Sequence, residues 1–163
     1  MAQNTVYKYL KDYNAGDVIF RAGSPSKCMY EVQKGKVGLF SDYGTPDQKM
    51  LAEVGPERFF GEMGMVEGLP RSATAVVTED YTTVAEITWD LLGLYFKTKP
   101  AKVVQIMQQM GDRLRTTTKA AMDLKNTVNE AIGELENGGT TKEALATLKY
   151  GIRMMDGTLK DNK

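Results

Sequence analysis

Two hydrophobic textures divide this chain. Up to residue 88, short runs rich in Val, Ile, Tyr, Phe and Thr are cut by Gly, Pro, Asp and Asn, as in strands joined by tight turns. The runs predict strands over Thr5–Leu10, Val18–Arg21, Met29–Gln33, Lys36–Ser41, Gln48–Val54, Ala73–Thr78 and Thr82–Thr88. Turn signals separate them at Asn14-Ala15-Gly16-Asp17, Ala22-Gly23-Ser24-Pro25, Gly44-Thr45-Pro46-Asp47 and Gly55-Pro56. Gly16 and Gly23 flank a very short strand, so the sheet must bend sharply there, and a sandwich or barrel follows.

From residue 89 the period becomes helical. Trp89–Lys97 predicts a short helix, and Pro100 suits the first turn of the next, where its missing N–H costs nothing. In that next helix the seam positions Val103, Met107, Met110, Leu114, Thr117, Ala121, Leu124, Val128, Ala131 and Leu135 are spaced alternately by four and three, a heptad pattern with one polar member, Thr117. A helix to residue 136 is about 55 Å long at 1.5 Å per residue, more than one small barrel can cover. The expectation is that its first turns pack on the barrel through this seam and that the remainder meets the same helix of a second copy, giving a homodimer. Asn137-Gly138-Gly139 ends the helix. Thr140-x-x-Glu143 is a capping box for another, with apolar positions Leu145, Leu148, Ile152, Met155 and Leu159, so a helical hairpin is expected, and a four-helix bundle in a dimer. The predicted organisation is a barrel over 1–99, a long helix over 100–136 and a returning helix over 140–159.

Composition narrows the function. Lys and Arg number 21, as do Asp and Glu, so no net charge draws the protein to nucleic acid or to an anionic membrane. The one cysteine, Cys28, reads as small, inert and half-buried; it rules out an internal disulfide. No histidine is present, which removes the commonest general base and metal or haem ligand and weighs against an enzyme. No apolar run approaches signal-peptide or membrane-helix length, so the expected location is cytoplasmic.

The chemistry concentrates in residues 60–75, FGEMGMVEGLPRSATA. Glu62–Glu67 can form one short helix whose first N–H groups are left bare by Gly61, which favours an anion. Gly64 has no side chain to obstruct a ligand, Arg71 carries a planar cationic fork suited to phosphate, and Ser72 adds a hydroxyl. Glu62 would repel phosphate, yet it can accept hydrogen bonds from neutral sugar hydroxyls beside one. A sugar phosphate with a free hydroxyl satisfies both residues. Equally, Glu62 and Arg71 could pair with each other across a turn.

F-G-E-M-G-M followed by P-R-S-A-T-A resembles the phosphate-binding cassette of the cyclic nucleotide-binding domain family. The stretch Tyr13 to Gly23 resembles that family's first hairpin, and Met29 to Val37 its Y-x-[IV]-x-x-G-x-[VA] strands. The likeness extends over about residues 5–128. It implies an α+β fold in which a double-stranded β-helix, or jelly-roll, barrel precedes a long dimer helix, here followed by the C-terminal hairpin. It also implies that Glu62, with the Gly61 backbone, accepts the ribose 2′-hydroxyl, and that Arg71 binds the cyclic phosphate. Backbone groups of Met63, Gly64, Ser72 and Ala73 complete the cradle, and Leu51 joins the apolar wall beside the base. Within the family, Arg113-Leu114-Arg115-Thr116-Thr117-Thr118 is similar to the dimer helix of the bacterial catabolite activators, which places Thr117 and Thr118 against adenine, Thr118 reaching the partner's ligand. Those activators continue into a winged helix-turn-helix; the 35 residues after Val128 instead read as a hairpin without a basic recognition helix. The expectation is a dimeric cAMP receptor that signals to another protein, with no DNA-binding domain of its own. Two alternatives stand: a dimeric interaction scaffold or regulatory subunit of this fold, and a cGMP receptor, since the Ser72 hydroxyl could serve a guanine amino group.

Overall fold

The computed structural model describes residues 9–155. Eight strands, β1 (Leu10–Tyr13), β2 (Val18–Phe20), β3 (Cys28–Lys34), β4 (Val37–Ser41), β5 (Lys49–Val54), β6 (Phe59–Phe60), β7 (Thr74–Val77) and β8 (Thr82–Thr88), form two antiparallel sheets. Their orders are β1-β8-β3-β6 and β2-β7-β4-β5. This is the jelly-roll, and it bears out the α+β fold expected from the sequence. Helix α1 (Glu62–Glu67) lies between β6 and β7 in sequence, and α2 (Trp89–Thr98), α3 (Ala101–Glu136) and α4 (Thr141–Met155) follow β8. The predicted strand over Thr5–Leu10 falls almost wholly outside the described residues; β1 begins where it would have ended. Leu159, the last predicted apolar position of the returning helix, also lies outside them. Strand β6 had no counterpart in the sequence reading, because two residues carry no periodicity.

Side chains from both sheets meet in one core containing Val32, Val37, Phe60, Ala75, Val77 and Val84. Phe20, Tyr30 and Phe60 stack within it, with ring centroids 5.1 Å apart for Tyr30 and Phe60 and 5.8 Å for Phe20 and Tyr30. Successive strand residues face opposite ways, so Met29 and Phe59, the neighbours of Tyr30 and Phe60, join a second cluster with Ile87, Met65 and Tyr95 of α2. That cluster explains why β3 is buried on both faces instead of alternating.

A buried carboxylate ties the helices to the sheet. Glu31 accepts a hydrogen bond from the Tyr95 hydroxyl at 2.6 Å and pairs with Lys102 at 2.9 Å. Burial, then the Glu31 hydrogen bond, raises the Tyr95 phenol pKa well above its usual range, so it remains a donor. The face of α3 turned to the barrel therefore carries Lys102, Ile106 and Gln109. This corrects the expectation that the heptad seam packs there: Met107, on the seam, is 66% exposed. A polar and charged latch has taken the barrel-facing role, and the seam positions Val103, Met107 and Met110 are exposed.

The chain divides into two compact units, one up to Gln109 and one from Met110. In the second, α3 and α4 form the expected hairpin. Ala131 and Ala144 are buried, and Thr147 donates to Glu134 at 2.7 Å. The capping box is formed: Thr140 N–H donates to the Glu143 carboxylate at 2.7 Å, and Glu143 N–H to the Thr140 hydroxyl at 3.3 Å.

Two predictions follow from the hairpin. A Cβ on Gly151 would lie 2.2 Å from Thr127 Cγ2, whereas one on Gly133 would meet nothing within 4 Å. Gly133→Ala should raise stability by about 0.5–1 kcal/mol, and Gly151→Ala should lower it, as read from denaturant midpoints. Hydrogen bonds from the main chain and then the hydroxyl of Thr140 lower the Glu143 pKa below that of an ordinary glutamate. A carboxylate with a lowered folded pKa stabilises above its unfolded value and loses that contribution as pH falls through the folded one. Amide exchange at the start of α4 should therefore quicken, relative to the barrel, on acidification through that range.

Candidate functional site

Strand β6 runs directly into Gly61, which adopts a left-handed conformation (φ 74°) and caps α1. Only glycine enters that region freely, and here space makes the same demand, since a Cβ on Gly61 would stand 2.5 Å from Arg71 Nη1. The first residue of α1, Glu62, is buried, as are Gly64 and Met65. Gly64 passes closely over Ser26, whose Oγ would be 2.8 Å from an added Cβ. Gly68 ends the helix in a second left-handed turn, and Leu69 N–H donates to the Gly64 carbonyl at 3.1 Å.

Arg71 is anchored at both its backbone and its side chain. Its N–H donates to Ser24 O at 2.9 Å, and its carbonyl accepts from Gly23 N–H at 2.8 Å, pinning the end of the cassette to the turn before β3. The guanidinium is turned inward and the residue is only 5% exposed. Nη1 donates to Gly61 O at 2.5 Å and Nη2 to Cys28 O at 2.6 Å. Cζ lies 4.2 Å from the centroid of the Phe20 ring and 5.7 Å from that of Tyr30. Nε is buried without a hydrogen-bond partner.

The hydrogen bonds described for the Arg71 guanidinium run to the main-chain carbonyls of Gly61 and Cys28 and to the Cys28 sulfur. Arg71 is a desolvated cation held by carbonyl dipoles and aromatic faces, which offset only part of its lost hydration. Such a group favours an anion.

The sequence-assigned residues fall into two sets. Gly61, Glu62, Met63 and Gly64 on one side and Arg71, Ser72 and Ala73 on the other are joined through the Arg71–Gly61 hydrogen bond; Met63 and Ser72 are exposed and Ala73 is buried. Thr117 and Thr118 lie on exposed turns of α3 in the second unit. Sequence reasoning missed Phe20, Tyr30 and Cys28 as the bed of the guanidinium. Cys28 is buried, not half-buried, and its thiol donates to the Tyr30 hydroxyl at 3.2 Å while accepting weakly from Arg71. Burial, then that bond, raises the Tyr30 phenol pKa far above its usual range and keeps it neutral beside the cation. Among the described residues no helix is long and apolar enough to cross a membrane, and no group of three or more Cys, Asp and Glu side chains is placed to hold a metal ion.

A jelly-roll that carries a glycine-capped helical turn with a buried arginine behind it has a geometry suited to a small anion. Comparison makes the assignment specific: the chain belongs to the cyclic nucleotide-binding domain family, whose model matches residues 10–97. It is 38% identical over 82 residues to the cyclic AMP receptor protein of Thermus thermophilus, covering 50% of this chain and 38% of that protein. The fold is similar to the crystal structure of the Thermus thermophilus catabolite activator protein, with a TM-score of 0.62, 23% identity, and coverage of 97% of this chain and 82% of that one. A cyclic nucleotide-binding domain from Methylobacillus flagellatus matches with a TM-score of 0.53 and 26% identity, over 66% of this chain and 64% of its own. The chain spans about half or less of the length of the curated relatives it matches.

Gly61→Ala tests the close approach within the cassette. Forcing an alanine into the left-handed region against Arg71 should cost about 1–3 kcal/mol, measured as a shift of the urea midpoint.

Proposed function

We propose that this protein is a cAMP receptor that dimerises through α3 and passes the occupancy of its barrel to another protein. The observation that carries the reading is Arg71: a buried guanidinium, one partnerless N–H still in hand, lying against the cap of the helix that Glu62 begins. A cyclic phosphate supplies an acceptor for that remaining N–H, with Arg71 as its principal donor. Glu62 takes the ribose 2′-hydroxyl, and backbone groups of Gly61, Met63, Gly64, Ser72 and Ala73 complete the cradle. Thr117 and Thr118 are assigned to the base. The preference for adenine is supported by those two hydroxyls and by the name of the Thermus relative, a cyclic AMP receptor. The exposed Ser72 hydroxyl beside Arg71 favours cGMP as the second reading.

Dimerisation is supported by the seam freed from the barrel. Leu114 is 68% exposed, and Leu124, Val128 and Leu135 continue the apolar line beyond it. No catalytic role is proposed.

Calorimetry on nucleotide-stripped protein should give a dissociation constant for cAMP of about 1 μM or below, with cGMP weaker. Arg71→Ala should weaken binding by about 100-fold or more, as expected for losing charge-assisted bonds to a phosphate; undetectable binding to the wild type would refute the receptor reading. Leu114→Glu should convert the dimer to monomer in sedimentation without loss of barrel structure.

A further inference from the structure

Strand β6 is the shortest element of the fold and the one on which the cassette hangs. It has two register pairs with β3, Tyr30 with Phe60 and Glu31 with Phe59, and among the described residues it stands at the edge of its sheet. An edge this short is weakly fixed by pairing alone.

The structure fills the open edge with a side chain. Gln109 of α3, 6% exposed, accepts from Phe59 N–H through Oε1 at 3.0 Å and donates through Nε2 to Phe59 O. Its carboxamide thus plays the part of a neighbouring peptide group. One helical turn earlier, Gln105 Nε2 donates to Glu57 O at 2.8 Å. The spacing of four puts both glutamines on one face of the helix, along the segment that leads into β6.

We propose that Gln109 is a positioning residue for nucleotide binding, acting through the β6 backbone on Gly61 and Glu62. This rests on the cassette being the nucleotide site. Phe59 is two residues from Gly61, whose carbonyl receives Arg71 Nη1, and three from Glu62. Between them Phe60 is anchored in the core and Gly61 has no side chain, so the Phe59 peptide is the remaining main-chain point at which α3 reaches this segment. Fixing both polar groups of Phe59 fixes where the cap of α1 begins. An apolar residue at 109 would leave those two buried groups unsatisfied.

The test compares Gln109→Glu with two controls. A carboxylate still accepts from Phe59 N–H but offers nothing to Phe59 O and turns an oxygen against it. Gln105→Ala removes the outer, exposed contact. Tyr95→Phe deletes a donor to Glu31 and destabilises the same layer, while keeping the ring that packs against Phe59 and both Gln109 bonds to β6.

With cAMP as probe, Gln109→Glu should weaken binding by about tenfold or more, while Gln105→Ala and Tyr95→Phe bind within about twofold of wild type. In nucleotide-free protein, amide exchange at Gly61 to Gly64 should accelerate in Gln109→Glu and not in Tyr95→Phe. Equal losses of affinity in Gln109→Glu and Tyr95→Phe would reduce Gln109 to general stability and overturn the proposal. So would unchanged affinity together with unchanged cassette exchange. A wild type that binds no cyclic nucleotide refutes the receptor reading instead, and the exchange measurement still decides whether Gln109 positions the cassette.

Discussion

The buried guanidinium of Arg71 is the constraint around which the barrel is arranged. It holds the carbonyl at the start of the cassette and the carbonyl at the start of β3, and it lies across aromatic rings from both sheets. Its own backbone is stitched to the Gly23–Ser24 turn. These contacts fix the two ends of the cassette relative to one another and to the core. The neutral state of Tyr30, the small size of Cys28 and the absence of a side chain at Gly61 all serve the same end, which is to admit a cation where hydrocarbon would otherwise pack.

The long helix divides its labour by face. Where it leaves the barrel it is latched by polar groups, Lys102 to the buried Glu31 and Gln109 to β6, with Ile106 as the apolar member. Directional bonds of this kind define one register, whereas an apolar stripe on a curved sheet would permit sliding. The hydrophobic stripe offset from them is then available for another surface. Charge-paired latching and an exposed apolar stripe thereby occupy separate faces of one helix.

What the sequence revealed follows from how far each determinant lies along the chain. Thr82–Thr88 was legible because alternation and flanking turns are local, and Thr140 with Glu143 because a capping box spans four residues. The cassette was legible through spacing, since glycine, acid and arginine recur within sixteen residues. The bed beneath Arg71 was not: Phe20, Cys28 and Tyr30 read as ordinary strand residues, and only the meeting of two sheets gives them a cation to hold. Gln109 escaped for a related reason. A glutamine off the apolar seam reads as a solvated position, and the bond it makes crosses fifty residues of chain to a strand too short to announce itself. The long helix was legible from its period; which of its faces meets the barrel was a tertiary outcome that period alone does not decide.

The depth of Arg71 has a kinetic side. A group that is 95% covered cannot be reached by a diffusing anion without prior movement of what covers it. On the proposed reading, the encounter that matters is with a locally loosened molecule, an excursion smaller than global unfolding. Association through such a route is slower than free diffusion allows, and departure is slower in the same proportion. On that reading burial lengthens the memory of an occupied site without by itself altering its affinity.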